Sequence, residues 1–124
     1  MKIKVLTSEN FRRKAKRLLK KYPSLKTELY DLESQLLKNP ELGILLGRDC
    51  YKIRIAIQSK GKGKSSGARI ITHVIVKISQ DQSETKIVGL LTIYDKSEYE
   101  NISDSELTEL INEVKLEIEN IDNE

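Results

Sequence analysis

Between Tyr51 and Arg69 the chain carries Lys52, Arg54, Lys60, Lys62, Lys64 and Arg69 and no acidic residue. Ile53, Ile55 and Ile57 alternate with polar or small residues, the period of a half-buried strand. Lys52 and Arg54, two positions apart, therefore leave one face roughly 7 Å from each other. Arg69 opens the next apolar run, and pairing of the two runs across the loop between them brings it into the same region. Cations gathered without carboxylates suit a phosphodiester, because they neutralise its charge and stabilise the negative charge that builds up in its transition state. The competing reading is that SKGKGKSSG (59–67) is only a solvated hairpin tip. The acid-free strand face beside it favours the phosphodiester.

Other chemistries find little support. Gly63-Lys64-Ser65 ends like a phosphate-binding P-loop, but Gln58 stands where that motif needs its first glycine, and a strand follows where a helix must begin. His73, the one histidine, falls between Ile71 and Ile75 in an apolar run and reads as a packed core residue. With Cys50 the one cysteine, a Ser-His-Asp triad or a Cys/His metal cluster has little material. Asp95, Glu98 and Glu100 lack the spacing of a calcium loop and read as a solvated turn. No metal and no cofactor is expected.

The elements that must hold these residues follow from periodicity. IKVL (3–6) is short and β-prone, and Thr7 or Ser8 can cap a helix on which Phe11, Ala15, Leu18 and Leu19 recur at helical spacing. Around that stripe lie seven cations, among them Arg13, Lys16, Arg17 and Lys20, which are either a solvated face or a surface that docks on RNA. Pro23 ends this helix, and Ser24 is placed to cap a second one carrying Leu25, Leu29, Leu32 and Leu36, closed by Asn39-Pro40 and Gly43. Strands are expected over 51–57, 68–78 and 86–95, joined as an antiparallel meander. Ser103 and Glu106 form a capping box ahead of a last helix with Leu107, Leu110, Ile111, Val114 and Ile118 on its apolar stripe. The expected fold class is α+β: an N-terminal strand and helical hairpin, then a curved antiparallel sheet covered on one side, and a C-terminal helix, all in one domain spanning residues 1–124.

Charge divides along the chain. Residues 1–79 hold 19 Lys or Arg against 6 Asp or Glu, and residues 80–124 hold 3 against 13, so a basic face for a polyanion and an acidic segment elsewhere are expected. The basic, polar start lacks the apolar stretch of a signal peptide, no run reaches membrane-spanning length, and a lone cysteine suits a reducing compartment. A cytoplasmic protein with no membrane association is expected.

In this order, FRRKAKRLLKKYPSL, NPELG, CYKIRIAI, KGKGKSSGARIIT and LLTIYDKSEYENIS resemble toxins of the RelE/ParE superfamily, in particular its RelE and HigB-like branch. The resemblance runs from about Phe11 to Leu110, and its specific parts are the YKIR strand, the GKSSGAR loop and the YDKSE segment. It implies a curved sheet with helices, a cognate antitoxin as partner, and metal-independent cleavage of messenger RNA on the ribosome. In such cleavage the ribose 2′-hydroxyl attacks the neighbouring phosphate. Position by position, Lys52 and Arg54 match the family's basic strand, Arg69 its phosphate-stabilising arginine and Lys96 its late basic residue. Tyr94 and Tyr99 both lie near the position of the base-stacking aromatic. Lys60, Lys62 and Lys64, with the cations of the first helix, would contact RNA. The chain departs from the pattern at Ser66, where a second glycine is usual, and in having no histidine near Lys96, so a lysine or tyrosine would have to move the proton. A DNA gyrase inhibitor of the ParE kind and a non-catalytic RNA-binding module are the alternative functions.

Overall fold

Ser8 sets where the first helix begins. Its hydroxyl accepts from the backbone N–H of Phe11 at 3.1 Å and donates to the carbonyl of Leu91 at 2.9 Å. One buried side chain thus caps α1 (Glu9–Lys21) and ties it to the sheet. The computed structural model describes residues 1–61, 66–98 and 101–122, and Lys62, Lys64 and Tyr99 lie outside them. Strand β1 (Lys2–Thr7) precedes α1, and α2 (Leu25–Lys38) follows it. Phe11, Ala15 and Leu18 of α1 and Leu25, Leu32 and Leu36 of α2 are buried together, as their spacing predicts. Leu19 turns away from this stripe and is 37% exposed. Ser24 makes no cap bond; its hydroxyl engages Ser59 and Glu28 instead.

After α2 the chain forms a short edge strand that the periodicity does not announce, β2 (Ile44–Gly47), paired with β3 (Cys50–Ile55). Gly43, at φ +105°, makes the entry possible, because a Cβ there would stand 2.5 Å from the carbonyl oxygen of Lys52. β4 (Ala68–Ile78) and β5 (Glu84–Asp95) complete the meander, and α3 (Asp104–Asp122) ends the described chain.

Two features differ from the expectation. The sheet is mixed, with strand order β1-β5-β4-β3-β2, because β1 lies parallel to β5 while the other pairs are antiparallel. It is also covered on both faces. The helical hairpin packs on one, and Leu107, Leu110, Ile111 and Val114 of α3 pack on the other against Cys50, Ile71, Leu91 and Tyr94. The physical reason lies in β4, buried on both sides from Ala68 to Val74, which has apolar residues for two layers. A bulge on β5 adds Leu91 between the pairs Ile71↔Thr92 and Thr72↔Leu90. Leu90 and Ile93 therefore both face the hairpin although they are three residues apart.

Candidate functional site

Register builds the site. Arg54, Arg69 and Tyr94 stand directly opposite one another across β3, β4 and β5. Lys52 is two residues from Arg54 on β3, opposite Ile71, so the three cations and the phenol lie on the α3 face, next to the N-terminal end of that helix. Gly67 lets the strands close up at this point: a Cβ there would lie 2.0 Å from the Ile55 carbonyl oxygen. The Gly67 carbonyl accepts from the backbone N–H of Lys96 at 3.0 Å, fixing the chain immediately after β5. Lys96 is half-buried there.

These groups differ in access. Arg54 is exposed. Lys52 is half-buried, with its ammonium 3.4 Å from the side-chain oxygen of Asn101. Arg69 is only 4% exposed, and its guanidinium donates to the Ala68 carbonyl at 3.2 Å. Burial and then the charge of Arg54 lower the Arg69 pKa, and Tyr94 opposes them. Tyr94 is 6% exposed and shares a cleft of about 140 Å³ with Lys14, Ile102, Glu106 and Glu109. Its phenol is pushed up by burial, with Arg69 lowering it and Glu106 raising it. Glu106 and Glu109 bring the first turns of α3 to the wall of this cleft, beside Asn10 and Lys14 of α1.

The other sequence candidates are placed as follows. Arg13, Lys16, Arg17 and Lys20 are exposed on α1, and Arg17 is bound to Glu98 through contacts of 3.0 and 3.2 Å. Lys60 is not at a solvated tip. Its ammonium turns inward to pair with Asp95, donates to the Ser66 carbonyl and lies 5.8 Å from the centre of the Tyr22 ring. Lys62, Lys64 and Tyr99 lie outside the described residues.

Asp95 corrects the reading of a solvated turn: it is fully buried. Its carboxylate accepts from the Tyr22 hydroxyl at 2.7 Å, the Ser97 N–H at 3.0 Å, the Ser97 hydroxyl at 2.9 Å and the Lys60 ammonium. Burial alone would raise its pKa, but these donors, Lys60 first, hold it well below the usual carboxylate range. One signal for this was present. Alternation puts Asp95 on the same face as buried Ile93, where a carboxylate needs partners; which partners it finds depends on the tertiary fold.

His73 is buried, as expected, with Nδ1 3.3 Å from the Cys50 sulfur. Burial lowers the imidazole pKa and pushes the thiol up to about 11, so both are neutral near pH 7 and no thiolate nucleophile forms. A cleft of about 670 Å³ lies around His73 and Lys115 and takes in none of the cationic row. Among the described residues no group of three or more His, Cys, Asp or Glu could hold a metal ion. Nor is any described helix long and apolar enough to cross a membrane.

No protein-family model matches the chain. In three dimensions it is similar to the toxin RelE of E. coli, a variant with two arginines changed to alanine, solved in the free state. The match covers 95% of this chain and 99% of that one, at a TM-score of 0.50 and 21% sequence identity. The fold is that of RelE. On this RelE fold the Arg54–Arg69–Tyr94 row occupies the end of the central strands where β3 leaves the sheet and β5 stops, beside the start of α3.

Proposed function

We propose that this chain is the toxin of a toxin–antitoxin pair and cleaves messenger RNA on the ribosome without a metal. The observation that carries this reading is the row of Arg54, Arg69 and Tyr94 in register across three strands, flanked by Lys52 and Lys96. The ribose 2′-oxygen forms a bond to the adjacent phosphorus as its proton passes to a lysine, Lys52 or Lys96. The bond from phosphorus to the 5′-oxygen breaks, and that oxygen takes up a proton. The products are a 2′,3′-cyclic phosphate, or the 3′-phosphate formed from it, and a 5′-hydroxyl. Arg54 and Arg69 stabilise the charge on the phosphoryl oxygens, where preorganised donors have their largest effect. Tyr94 or Tyr99 stacks on a base. Because the chain offers few groups to align the RNA, the ribosome supplies most of the positioning, and naked RNA is a slow substrate.

A cognate antitoxin restrains the free toxin by covering the basic face with an acidic or apolar segment, or by displacing α3. The charge split along the chain supports this, since α3 is itself an acidic element lying beside the cationic row.

Primer extension on translated messages after brief expression tests the reading, with end-group analysis of the fragments. Discrete cuts that leave a cyclic or 3′-phosphate and disappear in Arg69→Ala are expected. The cuts should persist when cobalt hexammine, which offers no free coordination site, replaces magnesium on intact ribosomes. A strict magnesium requirement for the chemical step overturns the mechanism. Absence of cuts moves the gyrase inhibitor or the RNA-binding module ahead.

A further inference from the structure

A buried carboxylate with four donors from three separate segments is costly to assemble, because each donor must reach it and none of its charge is solvated. Around Asp95 the donors come from the end of α1 (Tyr22), from the loop between β3 and β4 (Lys60) and from the turn after β5 (Ser97). Lys60 also donates to the Ser66 carbonyl, and the next carbonyl, Gly67, accepts from the Lys96 N–H. Loop and turn are thereby joined into one piece. Two residues of the proposed active site emerge from it: Arg69 follows Gly67 by two positions, and Lys96 lies between Asp95 and Ser97. Tyr94, the residue before Asp95, leaves the opposite face of β5 toward α3.

We infer that Asp95, Lys60 and Tyr22 form a positioning clasp that sets Lys96 and Arg69 relative to each other for phosphodiester cleavage. The inference rests on the proposed ribonuclease reading. None of the three is a catalytic residue: Asp95 and Tyr22 are buried on the hairpin side of the sheet, and Lys60 is turned toward them. The clasp acts by removing the freedom of two short segments that would otherwise let the reacting groups drift. A displacement of about 1 Å at a reacting group can cost on the order of 10²-fold in rate.

The test uses Asp95→Asn, which keeps the shape but loses the charge that holds Lys60, together with Lys60→Met and Lys60→Arg, with Arg69→Ala as reference. Single-turnover cleavage at saturating ribosomes is measured where each variant is shown to be folded. The saturated rate is expected to fall by about 10-fold or more in Asp95→Asn and in Lys60→Met, with the half-saturating ribosome concentration little changed. The double variant should be no slower than the worse single one, and Lys60→Arg should recover part of the rate. Hydrogen exchange gives a second readout, independent of activity. The amides of Lys96 and Ser97 should lose protection in Asp95→Asn and Lys60→Met, while amides in the middle of β4 and β5 keep theirs. If Arg69→Ala abolishes cleavage but both clasp variants cleave at the normal saturated rate, the clasp is overturned and the ribonuclease reading stands. If the wild type makes no cuts, the ribonuclease reading fails and the positioning role falls with it; if Arg69→Ala cleaves at the normal rate, cleavage stands but Arg69 is not a reacting group and the clasp is overturned. Retained protection at Lys96 overturns the clasp whatever the activity.

Discussion

Arg54 and Arg69 are directly opposed on β3 and β4, two like charges paired across one strand ladder. Like charges in this relation disfavour the folded sheet, and Arg69 adds the cost of being nearly buried.

That relationship separates stability from activity. Replacing Arg54 with Gln should leave the unfolding midpoint unchanged or raise stability by about 0.5 kcal/mol. The same change should lower the saturated cleavage rate by about 10². Denaturant melts beside single-turnover assays check this. A variant that is destabilised yet fully active would contradict it.

The cations of α1 should govern association. Neutralising Arg13, Lys16 and Lys20 together is expected to weaken ribosome binding and flatten its salt dependence by about one unit of slope per lost phosphate contact, with the saturated rate retained. Arg17 should contribute less, because its guanidinium is already held by Glu98. Binding titrations at two salt concentrations decide the matter.

Burial lowers the pKa of His73, so the unfolded chain binds a proton there that the folded chain resists. Stability from this group is complete above its unfolded pKa of about 6.5 and declines as the pH falls below it, until the folded group also titrates. Denaturation midpoints at about pH 7.5 and pH 5.5 should differ in the wild type and differ less in His73→Asn. An equal difference in both proteins would place the cause elsewhere.

α3 is anchored by its acids as well as its apolar stripe. Glu117 accepts from the backbone N–H of Glu9 at 2.8 Å and Glu113 from that of Asn10 at 3.2 Å, at the positive end of α1. Glu113→Gln with Glu117→Gln should loosen α3 by about 1 kcal/mol in total. Limited proteolysis and hydrogen exchange should then detect α3 opening earlier than the sheet. Unchanged exchange in α3 would show that the apolar stripe alone holds it.

Periodicity was enough to locate both hairpin helices, the meander and the last helix, because each exposes one face to water and its apolar spacing records the other. It also placed Lys52 and Arg54 on one strand face, since alternation depends only on neighbouring residues, whereas Arg69 joins them through the pairing of β3 with β4. Parallel pairing of β1 with β5, the bulge at Leu91 and the second covered face depend on contacts between segments far apart in the chain, and local spacing carries no record of them. The clasp is the clearest case. Lys60 has the composition of a solvated loop residue and Asp95 that of a turn. A lysine's four-carbon stem can carry its charge outward or inward with equal covalent ease. Only the assembled fold, which leaves a carboxylate without water next to Tyr22, makes the inward path the stable one.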